Sequence, residues 1–188
     1  MKLTTVSLIA LLIIVSAGCQ PAAAPVSIGN QAISINDVPQ PGVPLKPVEK
    51  MTWTRFDGAD QKIGDLQGKV IILDFWATYC KPCLEEIPHL NALQAKYGAD
   101  NLQIIGLHVG GEEDQPKVPD FVDRLKISYT LAYPEDALTR YIFGNQTAIP
   151  QTAIFDRNGQ LVRKIIGFDD RIRLQLDDAV EQAIKSGS

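Results

Sequence analysis

Read for the alternation of apolar and polar positions, the chain changes character at about residue 50. Beyond that point "KVIILDFWA", Lys69 to Ala77, and "LQIIGLHV", Leu102 to Val109, are continuous β-rich apolar runs, the pattern of strands buried on both faces. Between them the spacing predicts a long helix from Lys81 to Tyr97, stopped by Gly98 and kinked or locally broken at Pro88, which lacks a backbone donor. "PDFVDRLKI" and "DALTRYIF" read as two short helices. "MTWTRF", "DGAD" and "QKI" predict a small hairpin at the start of the domain. "QTAIFD", "RNG" and "QLVRKIIGF" predict another around Asn158-Gly159. Ile172, Leu176, Val180 and Ile184 recur every four residues and mark the buried face of a closing helix, Asp169 to Lys185. Strands alternating with helices, followed by a hairpin, predict an α/β domain: a central mixed β-sheet flanked by helices, with an N-terminal β-hairpin extension.

The first 49 residues follow other rules. Lys2, an apolar stretch from Leu8 to Val15 and small residues up to Cys19 have the layout of an export signal. The stretch is shorter than the roughly 20 apolar residues that span a bilayer. "SAGC" resembles the lipobox of bacterial lipoproteins, which implies removal of residues 1–18 and lipidation of Cys19, a stable membrane anchor. A cut after Ala24 would instead free the protein, but Pro25 disfavours it. Residues 19–49, rich in Pro and Ala without a sustained period, read as a semi-rigid tether, and residues 50–188 as one folded domain. The expected location is the cell envelope, anchored at Cys19 with the domain outside the cytoplasm. A formal charge of −4 and the lack of any Lys/Arg-rich block argue against a nucleic-acid partner.

Lipidation of Cys19 leaves Cys80 and Cys83, of three cysteines in all, in a compartment where disulfides persist. They lie where a strand gives way to a helix, so the first sulfur meets unpaired N–H groups and the positive end of the helix dipole, and thiolate is favoured. Cys80 is then the nucleophile that attacks a partner disulfide and Cys83 the residue that resolves the mixed disulfide. Lys81 adds positive charge and Pro82 restricts the loop. Resolution needs a base, and Asp74, set in the apolar "IILDFWA", is the candidate, with a pKa raised by burial. The alternative for Asp74 is an ion pair at a strand end with a lysine such as Lys96.

"LDFWATYCKPC" resembles the active-site stretch of thioredoxins, and "GKVIILDFWATYCKPCLEEIPHL" together with "AIPQTAIFDRNGQLVRKIIGF" is similar to the TlpA/ResA-like branch of exported thiol-disulfide oxidoreductases, over Thr52 to Lys185. The resemblance implies a thioredoxin-like fold, with Cys80 attacking, Cys83 resolving and Asp74 as the buried acid. It places Trp76 beside the site, matches Glu86 and Pro88 to a Glu-x-Pro after the second cysteine, and matches Ile149-Pro150 to a cis-proline loop that pairs with the substrate backbone. Tyr79 stands where many relatives have Trp. Trp76, Tyr79, Lys81, Pro82, Ile149 and Pro150 are thus the expected substrate-binding residues. The implied partners are exported protein thiols or disulfides, apocytochrome c among them, and a membrane electron donor. The implied redox group is the Cys80-Cys83 pair itself, with no cofactor, in a monomer.

Other chemistries fit less well. Zinc would need two more ligands, and His89 and His108 lie on separate predicted elements. A purely structural bridge over so short a loop would stabilise little. A thiol peroxidase of the related peroxiredoxin group would carry a Pro-x-x-x-Thr/Ser-x-x-Cys pattern, and "LDFWATYC" lacks that proline. A lipoprotein that only binds a partner leaves the intact cysteine pair unexplained. Trp53, Phe75 and Phe155 are expected in the core. "GGEEDQPK", Gly110 to Lys117, is expected to be a solvated connection, its acids lacking calcium-loop spacing.

Overall fold

The computed structural model describes residue 42 and residues 44–186. The leader at 1–18, Cys19 and the tether up to residue 41 lie outside the described residues. The elements, in chain order, are β1 (Thr52–Arg55), β2 (Asp60–Lys62), β3 (Val70–Trp76), α1 (Cys83–Tyr97), β4 (Leu102–His108), α2 (Val118–Leu125), β5 (Thr130–Pro134), α3 (Asp136–Phe143), β6 (Gln151–Phe155), β7 (Leu161–Ile166) and α4 (Asp170–Lys185). The strands form one seven-stranded mixed sheet in the order β2-β1-β5-β4-β3-β6-β7. β3, β4 and β5 run parallel, and β1, β6 and β7 add antiparallel pairings.

β3 is central because all seven of its residues are buried. Removing an Ile, Leu or Phe side chain from water contributes roughly 1.5–3 kcal/mol, so this strand anchors both layers. Successive side chains alternate between faces. Val70, Ile72 and Trp76 join Ile87 and Leu90 of α1, Phe121 of α2 and Val180 of α4 in one core. Ile71, Leu73 and Phe75 join Trp53, Ile63 and Leu138 of α3 in the other. Asp74 has the parity of Ile72 and Trp76, which sends its side chain to the α1 face.

Three expectations change. β5 carries no alternating pattern and ends in Pro134, so periodicity passed over it; it is a strand because its backbone is sandwiched between β1 and β4. The tether does not run free to residue 49. Gly42 N–H donates to Tyr141 O at 2.6 Å, Lys46 Nζ pairs with Glu135 at 2.7 Å, and Val48–Lys50 form a 3-10 turn. Gly64 admits that turn, since a Cβ there would sit 2.8 Å from Glu49 O. The folded domain therefore begins by residue 42 rather than 50. Finally, α1 starts two residues later than expected and runs on through Pro88 without a break.

Candidate active site

The polypeptide leaves β3 at Trp76, turns through Ala77–Pro82 and enters α1 at Cys83. Cys80 N–H closes the turn onto Ala77 O at 3.1 Å. Cys80 and Cys83 are joined by a disulfide, their Cα atoms 5.4 Å apart. The N–H of Cys83, the first residue of α1, donates to Cys80 Sγ at 3.3 Å. A donor at the positive end of a helix therefore points at the first sulfur, as expected from the strand-to-helix junction. Cys80 is 5% exposed and Cys83 0%. Of the two sulfur-bearing residues, Cys80 is thus the one with surface open to solvent.

Two buried carboxylic acids lie on the α1 face of the sheet. Asp74 comes from the middle of β3, and Glu86 from α1, three residues after Cys83 and so on the same side of the helix. Burial lifts Asp74 to about 7, against a hydrogen bond from Tyr129 Oη to its Oδ2 at 3.3 Å. Burial raises Glu86 well above the ordinary carboxylate range, and the charge of Asp74 adds to this; Thr152 Oγ1, which donates to Glu86 Oε1, works the other way. Asp74 Oδ1 and Glu86 Oε2 are buried without a hydrogen-bond partner among the described residues. Two acids that feel each other in a desolvated space do not both ionise near neutral pH, so the pair holds a proton at neutral pH and can pass it on. The alternative ion pair with Lys96 does not form, since Asp74 is completely buried and that lysine is exposed, with its Nζ 4.7 Å from the Tyr97 ring centroid.

Room for this arrangement comes from Gly106, the β4 residue in register with Asp74. A Cβ there would fall 2.8 Å from Leu131 Cδ2, 2.9 Å from Tyr129 Cε2 and 3.0 Å from Trp76 Nε1. Gly106→Ala is expected to destabilise the fold by roughly 1–3 kcal/mol, the usual effect of overpacking, and to push Tyr129 off Asp74. A thermal melt unchanged from wild type would contradict this packing.

The antiparallel register Phe75↔Gln151 carries Ile149-Pro150 to the sheet end where β3 releases the cysteine loop. The Ile149-Pro150 peptide is cis, Pro150 is buried, and Ile149 packs against the cluster that holds both cysteines. Tyr79 is 64% exposed, and Lys81 and Pro82 are exposed beside it. Trp76 differs from its expected substrate-facing place. It is completely buried and stacked on Phe121, ring centroids 5.1 Å apart, because α2 closes over its face of β3.

The sequence also concealed an anchor. "GGEEDQPK" is not a plain solvated connection, because Asp114 is 2% exposed and holds Thr78, two residues before Cys80. Thr152 and Tyr129 were likewise not recognisable as members of the acid site, and Glu86 was marked only by its match to the family's Glu-x-Pro, which does not place it beside Asp74.

A reactive disulfide at a helix N-terminus, a buried acid pair beneath it and a cis-proline loop beside it, on a mixed sheet with helices on both faces, define a thioredoxin-like thiol-disulfide oxidoreductase. The redoxin family profile matches residues 41–182, and the chain belongs to that family. It is 33% identical over 132 residues to a thiol-disulfide oxidoreductase ResA of Bacillus cereus, covering 69% of this chain and 73% of that protein. The thiol-disulfide oxidoreductase ResA of Bacillus anthracis is 30% identical over 130 residues, with the same coverage. Among solved structures, a thiol:disulfide interchange protein of the thioredoxin family from Chlorobium tepidum TLS superposes with a TM-score of 0.60 at 24% identity. That superposition covers 78% of this chain and 96% of that one, a likeness of fold.

Proposed function

We propose that the protein is a monomeric, lipid-anchored reductant of exported protein disulfides, held at the envelope through Cys19 with its redox domain outside the cytoplasm. The observation that carries the reading is the unequal burial of the two sulfurs together with the Cys83 N–H donated to Cys80 Sγ. In the reduced protein the Cys80 thiolate attacks one sulfur of a substrate disulfide and expels the other as thiolate. Cys83, deprotonated through the acid pair, then attacks Cys80 Sγ and releases the second substrate thiol. Two electrons pass to the substrate, and the enzyme is left with the Cys80-Cys83 disulfide. A dithiol donor at the membrane resets it, so the pair itself serves as the redox group without a dissociable cofactor.

Tyr79, Lys81 and Pro82 offer an exposed surface for an extended segment of substrate, and Ile149-Pro150 shapes its other edge. Apocytochrome c is the substrate to try first, in keeping with the family resemblance of the sequence. Equilibration of Cys80-Cys83 against graded dithiothreitol or glutathione buffers, read by alkylation and mass, tests the direction. The expected potential lies toward the thioredoxin value of about −270 mV. A potential near the roughly −120 mV of a strong oxidant would overturn the reductant reading.

A further inference from the structure

We propose that Asp114 is a positioning residue of the redox site: from the loop after β4 it clamps Thr78 and so fixes the turn that presents Cys80 to the N-terminus of α1. The proposal rests on the assignment of Cys80 as nucleophile but concerns a residue with no part in the electron or proton transfers.

Asp114 lies in a loop of the kind usually left to solvent, yet its carboxylate is buried and used on both oxygens. Oδ2 accepts from Thr78 N–H at 2.8 Å, and Oδ1 accepts from Thr78 Oγ1. Oδ2 also lies 3.0 Å from Nε2 of the buried His108. A carboxylate only accepts, so that ring nitrogen carries the proton. Lys117 Nζ approaches Oδ1 at 3.5 Å from the outside. Burial alone would raise the Asp114 pKa. The bonds from Thr78 and His108 outweigh it and hold the group at about 2, so it is an anion at neutral pH. The loop is shaped around it: a side chain at Gly110 would run into Asp114.

The clamp acts between the end of β3 and the start of α1, outside the sheet ladder and the helix. β3 pairing ends at Trp76 and α1 begins at Cys83. Between them the backbone N–H of Thr78 has only Asp114 to bond among the described residues, and a half-buried N–H that loses its partner is destabilising. Thr78 sits one residue after the turn carbonyl of Ala77 and two before Cys80, so its placement sets where Cys80 Sγ meets the Cys83 N–H. His108 fixes the other side of Asp114. Its ring packs edge-on against Trp76, centroids 5.1 Å apart, which ties the clamp to the core.

The test compares Asp114→Ala and Asp114→Asn in the full chain, with two rates and one melt. The rates are alkylation of reduced Cys80 by iodoacetamide at pH 7, resolved from Cys83 by fragment mass, and reduction of a model peptide disulfide. With the turn released, Asp114→Ala is expected to slow alkylation of Cys80 and kcat about 10-fold each, with KM little changed, the size of effect that misplacing a reacting group produces. Asp114→Asn keeps an acceptor for Thr78 N–H and should recover most of both rates. A folded Asp114→Ala protein that is less heat-stable but alkylates and turns over as wild type would overturn the proposal. So would an Asp114→Asn protein as slow as the alanine variant, which would make charge rather than placement the cause. If Asp114→Ala does not fold, Thr78→Val removes only the hydroxyl bond to Oδ1, and a several-fold slower Cys80 is expected; an unchanged rate overturns the proposal. Alkylation needs neither substrate nor electron donor. Wild-type protein that reduces nothing while Asp114→Ala still slows alkylation would therefore sink the proposed function and leave the clamp standing.

Discussion

Cys80→Ser is expected to abolish disulfide reduction, while Cys83→Ser traps substrate. Cys80 is the cysteine of the pair with surface open to solvent and the one that receives the helix N–H, so its loss removes the nucleophile and no other described residue can replace it. Cys83 is fully buried. Its replacement leaves the first attack intact and removes the second, so a mixed disulfide between Cys80 and substrate should accumulate and survive until reductant is added. The measurement is an insulin or peptide reduction assay on both variants, with non-reducing gel electrophoresis to show the covalent adduct. Undiminished reduction by Cys80→Ser would mean that the cysteine pair is not the reacting centre.

The second large effect concerns Asp74, and its sign follows from proton linkage. In the unfolded chain the group titrates near its ordinary 3.8, and in the folded protein near 7. Below 3.8 both states carry the proton and Asp74 contributes nothing to the pH dependence of stability. Between 3.8 and 7 the unfolded chain releases the proton and the folded one keeps it, so stability falls as pH rises. Above 7 the whole penalty is present, on the order of 4 kcal/mol. Asp74→Asn is neutral in both states and fills the same space, so it is expected to stabilise the protein by up to that amount at pH 8. At pH 4 it should differ little from wild type. Denaturant melts at the two pH values check this, and equal gains at both would contradict the burial argument. The same variant should slow resolution of the mixed disulfide on the order of 10²-fold, the usual contribution of general acid–base help. It gains stability and loses speed, as expected where a desolvated charge is kept for its chemistry. Glu86 limits the effect, since the two acids share one desolvated space and removing one leaves the other easier to ionise.

Asp74 and Asp114 differ in how much of their role is written locally. Both are aspartates in or near apolar strands. Asp74 was recognisable because "IILDFWA" is so apolar that any residue within it must be buried, and strand parity already assigns its face. Asp114 sits among Gly, Glu, Gln and Pro, which read as solvent-facing. Its burial depends on Thr78, 36 residues earlier in the chain, folding back to meet it. Glu86 stands between these cases. Its spacing from Cys83 puts it on the right side of α1, but its partner Thr152 lies 66 residues away on β6.

Elements with local patterns were legible from the amino-acid order alone. These are the two buried strand runs, the helix stopped by Gly98, both hairpins, the amphipathic closing helix and the cysteine pair at a strand-to-helix junction. Each rests on periodicity, turn chemistry or end effects that operate over a few residues. Long-range packing was needed to make Thr130–Pro134 a strand, to turn Trp76 inward, to start the domain by residue 42, and to gather Asp74, Glu86, Tyr129 and Thr152 into one desolvated space. The reason is common to all four: burial, pairing and charge state depend on which distant segments close over a residue, and the order β2-β1-β5-β4-β3-β6-β7 that brings them together is set by packing of the whole domain.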